Sequence, residues 1–248
     1  MHKKNDSPWA SGPAELLKHA ASLLSKDSDA NRRIAMILID NAVEQAMKTY
    51  LSLPKRVSRI TISRRQLSEL SESFPALLDA MEQYAADKLA GIDLGAIEWY
   101  HRLRNELYHQ GFGLTVERDK VEIYAELAQL LYQNLFGHAV SITVGRDAEM
   151  IGRAIELWNR LETALISAAS DHVIGRPRGV TDAMRILREV PLLSREDVAL
   201  IDKFRKVRNQ VVHAQGDYKS LLKEDLMSRI EELTKSFEQA EGIENEEA

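Results

Sequence analysis

The chain has 248 residues, 44% of them hydrophobic and 29% charged, a length and balance that suit two soluble domains with cores of their own and exclude disorder of the whole chain. It contains no cysteine, which excludes disulfide frameworks, zinc ribbons and thiol nucleophiles and leaves metal chemistry to His and carboxylates. A net charge of -5 excludes a surface built uniformly to coat nucleic acid, while a local basic cleft stays compatible with it, because phosphate contacts act over short, screened distances.

In chain order, the N-terminal MHKKNDSPWASGP is polar and has no apolar signal-type core. A short helix is expected from about Pro13 to Leu24, then the cap-type residues Asp27, Ser28 and Asp29, then a long amphipathic helix from Asn31 to Leu53 stopped by Pro54. Lys55 to Ser63 alternates only weakly and reads as a basic loop. Helices follow at about Ala76 to Leu89 and Leu94 to His109, a glycine-rich stop at Gln110 to Gly113, and a closing helix from Glu117 to Leu135. Gly137 to Arg146 lacks helical periodicity and is the expected domain junction.

Beyond the junction the order recurs: a long helix from Ala148 to Ala169, a loop with Gly175, Pro177 and Gly179, a short helix near Asp182 to Glu189, and a helix from Ser194 to His213 before Gly216. A last helix from Lys219 to Ala240 precedes an acidic tail, Glu241 to Ala248, of the composition that stays disordered. The expectation is an all-α fold of two tandem helical-bundle domains related by internal duplication, 1–138 and 139–248. With no run near the ~18 apolar residues of a membrane span, the expected location is cytoplasmic with no membrane partner.

The recurrence carries chemistry. Arg104-Asn105-Glu106-Leu107-Tyr108-His109 matches Arg208-Asn209-Gln210-Val211-Val212-His213 at Arg, Asn and His. The register extends upstream, where Ala96, Tyr100, Leu103 and Leu107 fall opposite Leu200, Phe204, Val207 and Val211, the same apolar stripe on each helix. At ~100° per residue, Asn105 and His109 lie about 200° and 240° around from Leu103, away from that stripe, and the long arginine side chain can swing toward the same patch. A lone helical His is more often a satisfied core residue or an idle surface one. Here the same Asn-His pair at i, i+4 occurs twice on corresponding faces, which favours a functional reading.

Imidazole takes or gives a proton near neutral pH, and guanidinium keeps its charge and stabilises the extra negative charge of a phosphorane-like transition state. Together they suit phosphodiester cleavage. A metal-free route needs a nucleophile already on the substrate, and the ribose 2'-hydroxyl makes RNA the preferred substrate, leaving a cyclic phosphate and requiring no cofactor. A separate acid and base require two histidines, so His109 and His213 would share one cleft, either within one chain or between two chains in a homodimer.

At these residues the chain resembles the HEPN superfamily, all-α domains whose nuclease members carry Arg-x4-6-His, usually with a polar residue after the Arg, here Asn105 and Asn209. The resemblance spans most of both repeats in helix order. It implies a composite site from two motifs, metal-independent endoribonuclease activity in toxin or antiviral defence, and an inhibitory or activating protein partner. No attached nucleotidyltransferase, helicase or sensor domain is expected from these 248 residues. Glu44-x3-Lys48 and Glu156-x3-Arg160 on the long helices are similar to the Glu-x3-Lys/Arg feature of some HEPN families, although Glu four residues before Lys or Arg is also the commonest stabilising pair of a helix surface.

Near the motifs, Arg102, Arg205 and Lys206, with His101 and Lys203, are candidates for RNA phosphate contacts, against the simpler reading of a solvated helix face. Arg64, Arg65, Arg176 and Arg178 are further backbone-contact candidates. Trp99 and Trp158 read as core rather than base-stacking residues. No phosphate-binding glycine loop, zinc spacing or Ser-His-Asp arrangement stands out. The alternative to catalysis is a non-catalytic HEPN module that binds RNA, a nucleotide or a protein, and a plain helical scaffold ranks below both.

Overall fold

The computed structural model describes residues 8–26, 28–70, 72–109, 115–140, 142, 145–173, 175–212 and 218–244. Among them every regular element is a helix and none is a strand, so the chain is all-α. It divides into two compact units, Met1–Glu149 and Met150–Ala248. The glycine-rich stops at Gln110 to Gly113 and at Gly216 lie outside the described residues, as do His213 and the last four residues of the acidic tail.

The first unit comprises α1 (Ser11–Leu24), α2 (Asp29–Ser52), α3 (Lys55–Ser58), α4 (Arg64–Leu70), α5 (Phe74–Tyr84), α6 (Leu94–His109) and α7 (Arg118–Phe136). Local chemistry sets their ends. Ser28 accepts from the Asn31 N–H at 3.2 Å and starts α2. Ser63 and Gln66 exchange hydrogen bonds in a capping box that opens α4. Ser73 caps α5, with Pro75 in its first turn, where no donor is lost. Asp93 accepts from the Ala96 N–H at 3.2 Å at the start of α6. Gly137, at φ +75°, closes α7 with its N–H on the Gln133 carbonyl.

Two local expectations change. The basic loop at Lys55 to Ser63 contains the single turn α3, ended by Arg59 in the left-handed region. The helix expected to reach Leu89 stops at Tyr84, because Ala85 leaves helical backbone at φ -139°, and a separate 3-10 turn follows at Ala86–Lys88.

Helix α2 is central to this unit: α1, α5, α6 and α7 all pack against it. Its buried face carries Met36, Ile39, Val43 and Met47, and the helices packed on it bury Leu17 and Leu24 of α1, Leu77 and Met81 of α5, Ile97 and Tyr100 of α6, and Tyr124 and Leu131 of α7 fully or nearly so. Burial of each such Leu, Ile, Met or Val side chain contributes about 1.5–3 kcal/mol before chain entropy is subtracted.

The second unit contains α8 (Gly145–Ser170) from Met150 onward, the boundary falling within this helix, and α9 (Val180–Glu189), α10 (Arg195–Val212), α11 (Tyr218–Leu221) and α12 (Glu224–Glu244). Ser194 and Asp197 cap α10 reciprocally, the Asp197 N–H donating to Ser194 Oγ and the Ser194 N–H to Asp197 Oδ2. Ile151, Leu161 and Leu165 of α8, Leu187 of α9, Ile201, Phe204 and Val211 of α10 and Ile230 of α12 are buried. Trp158 lies among them with its ring 6.1 Å from Phe204. Helix α12 runs to Glu244, past the end expected at Ala240. No helix among the described residues is long and apolar enough to cross a membrane.

Candidate functional site

Helix α6 carries the first Arg-Asn-x3-His. Ala96, Ile97 and Tyr100 are fully buried and Leu107 nearly so, while Leu103 is half-buried. Seated on that stripe, α6 brings His101 and Arg104 against Asp40 of α2, a carboxylate with no solvent exposure.

A carboxylate so placed has lost its water and needs a counter-charge and donors. Arg104 Nη2 supplies the charge at 2.8 Å from Asp40 Oδ2. The Tyr124 hydroxyl of α7 donates to Oδ1 at 2.9 Å. His101 Nδ1 lies 3.1 Å from both oxygens. The carboxylate only accepts, so the imidazole nitrogen that faces it carries its proton on Nδ1. Phe74 stacks on the same imidazole, ring centroids 3.7 Å apart and planes 3° from parallel, which fixes its rotation. Tyr100 stacks on Tyr124 at 4.6 Å. Burial first, and the adjacent Asp40 second, push the Tyr124 phenol well above the ordinary tyrosine range, so it stays a donor.

A second layer surrounds the guanidinium. Arg104 Nη2 also donates to Asn41 Oδ1 at 3.1 Å, and Nη1 donates to Asn105 Oδ1 at 2.9 Å. With its side chain 18% exposed and three acceptors around it, Arg104 is held in place rather than swinging along the helix surface as its length alone suggests. His109 is the last residue of α6, and its side chain, like that of Tyr108, lies outside the described residues.

In the second unit the matching stripe Leu200, Ile201, Phe204, Val207 and Val211 is buried. Arg208 is buried as well, and its Nη1 donates to Asn209 Oδ1 at 3.3 Å, the same hydrogen bond from the motif arginine to the asparagine that follows it. Asn209 is exposed. His213 lies outside the described residues, so the motif of this unit is described through its arginine and asparagine.

The paired residues of the long helices behave differently. Lys48 Nζ donates to Glu44 Oε1 at 2.6 Å, an i, i+4 pair on α2 one turn beyond Asp40 and Asn41. Arg160 instead turns to α12, where Nη2 and Nε bind Glu238 at 2.8 and 3.0 Å, while Glu156 is exposed. That hydrogen bond raises the Arg160 pKa further and holds the Glu238 carboxyl below its ordinary value.

Of the phosphate-contact candidates, Arg102, Arg205 and Arg65 are engaged by carboxylates. Arg102 bonds Glu98 at 2.5 Å with its own side chain 71% exposed, and Arg205 bonds Asp202 and Thr181 at 2.9 and 3.2 Å. Arg65 pairs with Glu69, and Lys203, Lys206, Arg176 and Arg178 are exposed. His101, read from sequence as one of this surface group, is part of the buried cluster. Among the described residues no group of three or more His, Asp or Glu is arranged to hold a metal ion.

Sequence reasoning missed Asp40, Asn41 and Tyr124. A signal for Asp40 was present: it falls at i+4 from Met36 and seven residues before Met47, a charged residue inside the apolar stripe of α2, where only a paired carboxylate is tolerated. Asn41 and Tyr124 had no such mark. Compared with known family models, curated proteins and solved structures, the chain matches none of them.

Proposed function

We propose that the chain is a metal-independent endoribonuclease of the HEPN type, cleaving RNA by attack of the ribose 2'-hydroxyl at a site composed of two Arg-Asn-x3-His motifs. The observation that supports this reading is the repeated Arg-to-Asn hydrogen bond, Arg104 to Asn105 on α6 and Arg208 to Asn209 on α10. Arginine and asparagine in this role bind and stabilise the phosphate, and His109 and His213 move protons between the 2'-hydroxyl and the leaving 5'-oxygen. A role as a toxin or antiviral-defence effector, restrained or triggered by a protein partner, and pairing of the two domains by duplication or across a homodimer, follow from the HEPN resemblance.

A second reading, a non-catalytic HEPN module that binds RNA, a nucleotide or a protein, draws support from Asp40, which already offsets the charge of Arg104. Purified protein incubated with RNA in EDTA separates the two. Cleavage that leaves 2',3'-cyclic phosphate ends and is abolished by His109→Ala combined with His213→Ala is the expected result. Tight RNA binding without strand scission, dependent on Arg104 and Arg208, selects the module. Cleavage unchanged in the double variant overturns the proposed mechanism.

A further inference from the structure

We infer that Asn41, which belongs to no motif, joins Asn105 in a pair of amide donors that receives a phosphate oxygen in the first unit. The inference rests on the endoribonuclease reading for its substrate class, the phosphodiester of RNA.

The argument starts from what a guanidinium can do. It has five N–H donors and no acceptor, so an asparagine that meets it within hydrogen-bond distance must present its carbonyl oxygen. Arg104 meets two, Asn41 through Nη2 at 3.1 Å and Asn105 through Nη1 at 2.9 Å. Both Oδ1 atoms are thereby committed, and both Nδ2 groups are turned to the far side of their amides. Asn41 is exposed and Asn105 half-buried, so these donors stand at the surface above a buried ion pair. Neighbours in sequence divide the labour: Asp40 faces the core and Asn41, about 100° further around α2, faces outward.

Charge points the same way. Asp40, itself shielded from solvent, compensates the formal charge of the partly exposed Arg104, so a phosphate arriving here meets no bare cation. Both Nη2 protons are taken, by Asp40 and Asn41, while Nη1 has one proton more than Asn105 uses. Arg104 Nε is buried with no hydrogen-bond partner, so recognition of an oxyanion falls chiefly to the neutral N–H donors of the two amides, beside that one remaining Nη1 proton of the guanidinium. Preorganised neutral donors of this kind stabilise a charge that develops during reaction without clamping the ground state as tightly as a free cation does.

The test uses the full chain labelled with nitrogen-15 and titrated with inorganic phosphate, reading the side-chain NH2 signals of Asn41 and Asn105. Both signals are expected to move together and saturably. Asn41→Asp keeps an acceptor for Arg104 but removes the donor and adds a negative charge, so the phosphate dissociation constant read at Asn105 rises about tenfold or more. Asn41→Ser, checked for an unchanged melting temperature, weakens binding less. Amide signals that ignore phosphate, or an Asn105 response unaltered by Asn41→Asp, overturn the inference. Cleavage of RNA in EDTA is followed in parallel: wild-type cleavage with Asn41→Asp equally active overturns this inference and leaves the endoribonuclease reading standing. Saturable amide shifts with intact RNA support the anion site and remove the nuclease reading.

Discussion

Arg104 Nη2 lies 2.8 Å from Asp40 Oδ2, so the arginine of the first motif is one half of an ion pair whose carboxylate is entirely shielded from solvent. Such a pair adds little over a well-packed apolar substitute, yet breaking it from one side is costly, because the surviving charge keeps its desolvation without its partner. Asp40→Ala strands Arg104 and removes the acceptor of Tyr124 and His101 together. The expected loss is about 3–5 kcal/mol in urea unfolding. Asp40→Asn, which keeps the volume and one acceptor, loses less. A loss for Asp40→Ala below about 1 kcal/mol contradicts the buried pairing.

Tyr124→Phe tests the same cluster without removing charge. The hydroxyl is one of the donors to Asp40, and its deletion is expected to cost about 1–3 kcal/mol. The pH dependence has a fixed sign. The folded phenol is raised above the ordinary tyrosine value, so the unfolded chain releases its proton first as pH climbs past about 10. Stability from this group is full below that value and is lost as pH rises toward the folded one. Wild-type unfolding midpoints should therefore fall more steeply above about pH 10 than those of Tyr124→Phe, and equal slopes contradict the assignment.

Much of the fold was legible because helical burial repeats every three to four residues. Ala96, Tyr100 and Leu107, and Leu200, Phe204 and Val211, are buried as their spacing demands, since one face of each helix must meet a core. Leu103 is less buried than the pattern implies, because the stripe turns toward Ile97. The arginine, asparagine and histidine types were legible as chemistry. Their partners were not, because Asp40, Asn41 and Tyr124 meet Arg104 or its counter-charge only through tertiary packing of α2, α6 and α7. The partner of Arg160 was hidden for a related reason: Arg160 has an i-4 glutamate on its own helix, yet it bonds both carboxylate oxygens of Glu238 on α12, which match its fork.

That Arg160 to Glu238 pair predicts a small, pH-dependent contribution. Both side chains are more than a third exposed, 35% and 37%, so solvent screening limits the pair to at most about 1 kcal/mol. Glu238 is held below its ordinary value chiefly by the Arg160 hydrogen bond. Its stabilisation is therefore present above the unfolded glutamate pKa and disappears as pH falls through the depressed folded one. Glu238→Gln should lower the unfolding midpoint at neutral pH and converge on wild type as pH falls below the depressed Glu238 value. A constant difference across that range shows that something other than ionisation separates the two proteins.

Replacing each motif arginine by lysine distinguishes a point charge from a fork. In the first unit one guanidinium reaches Asp40, Asn41 and Asn105 through two nitrogens, 2.8, 3.1 and 2.9 Å away. A lysine ammonium keeps the charge and can approach Asp40, but it lacks the planar pair of nitrogens that sets both amides at once. Arg104→Lys is thus expected to preserve most of the folding stability that Arg104→Ala loses, while RNA cleavage falls by about 10²–10³ in kcat, the scale of losing a preorganised oxyanion donor. Arg208→Lys makes the corresponding test at Asn209, to which Arg208 donates at 3.3 Å. Under the proposed composite site, which would use both motifs in one transition state, the double lysine variant should lose less than the product of the two single effects. Single variants that each keep about half of the wild-type rate mean two independent sites, one in each unit, and a lysine variant as active as wild type means that charge alone at position 104 suffices.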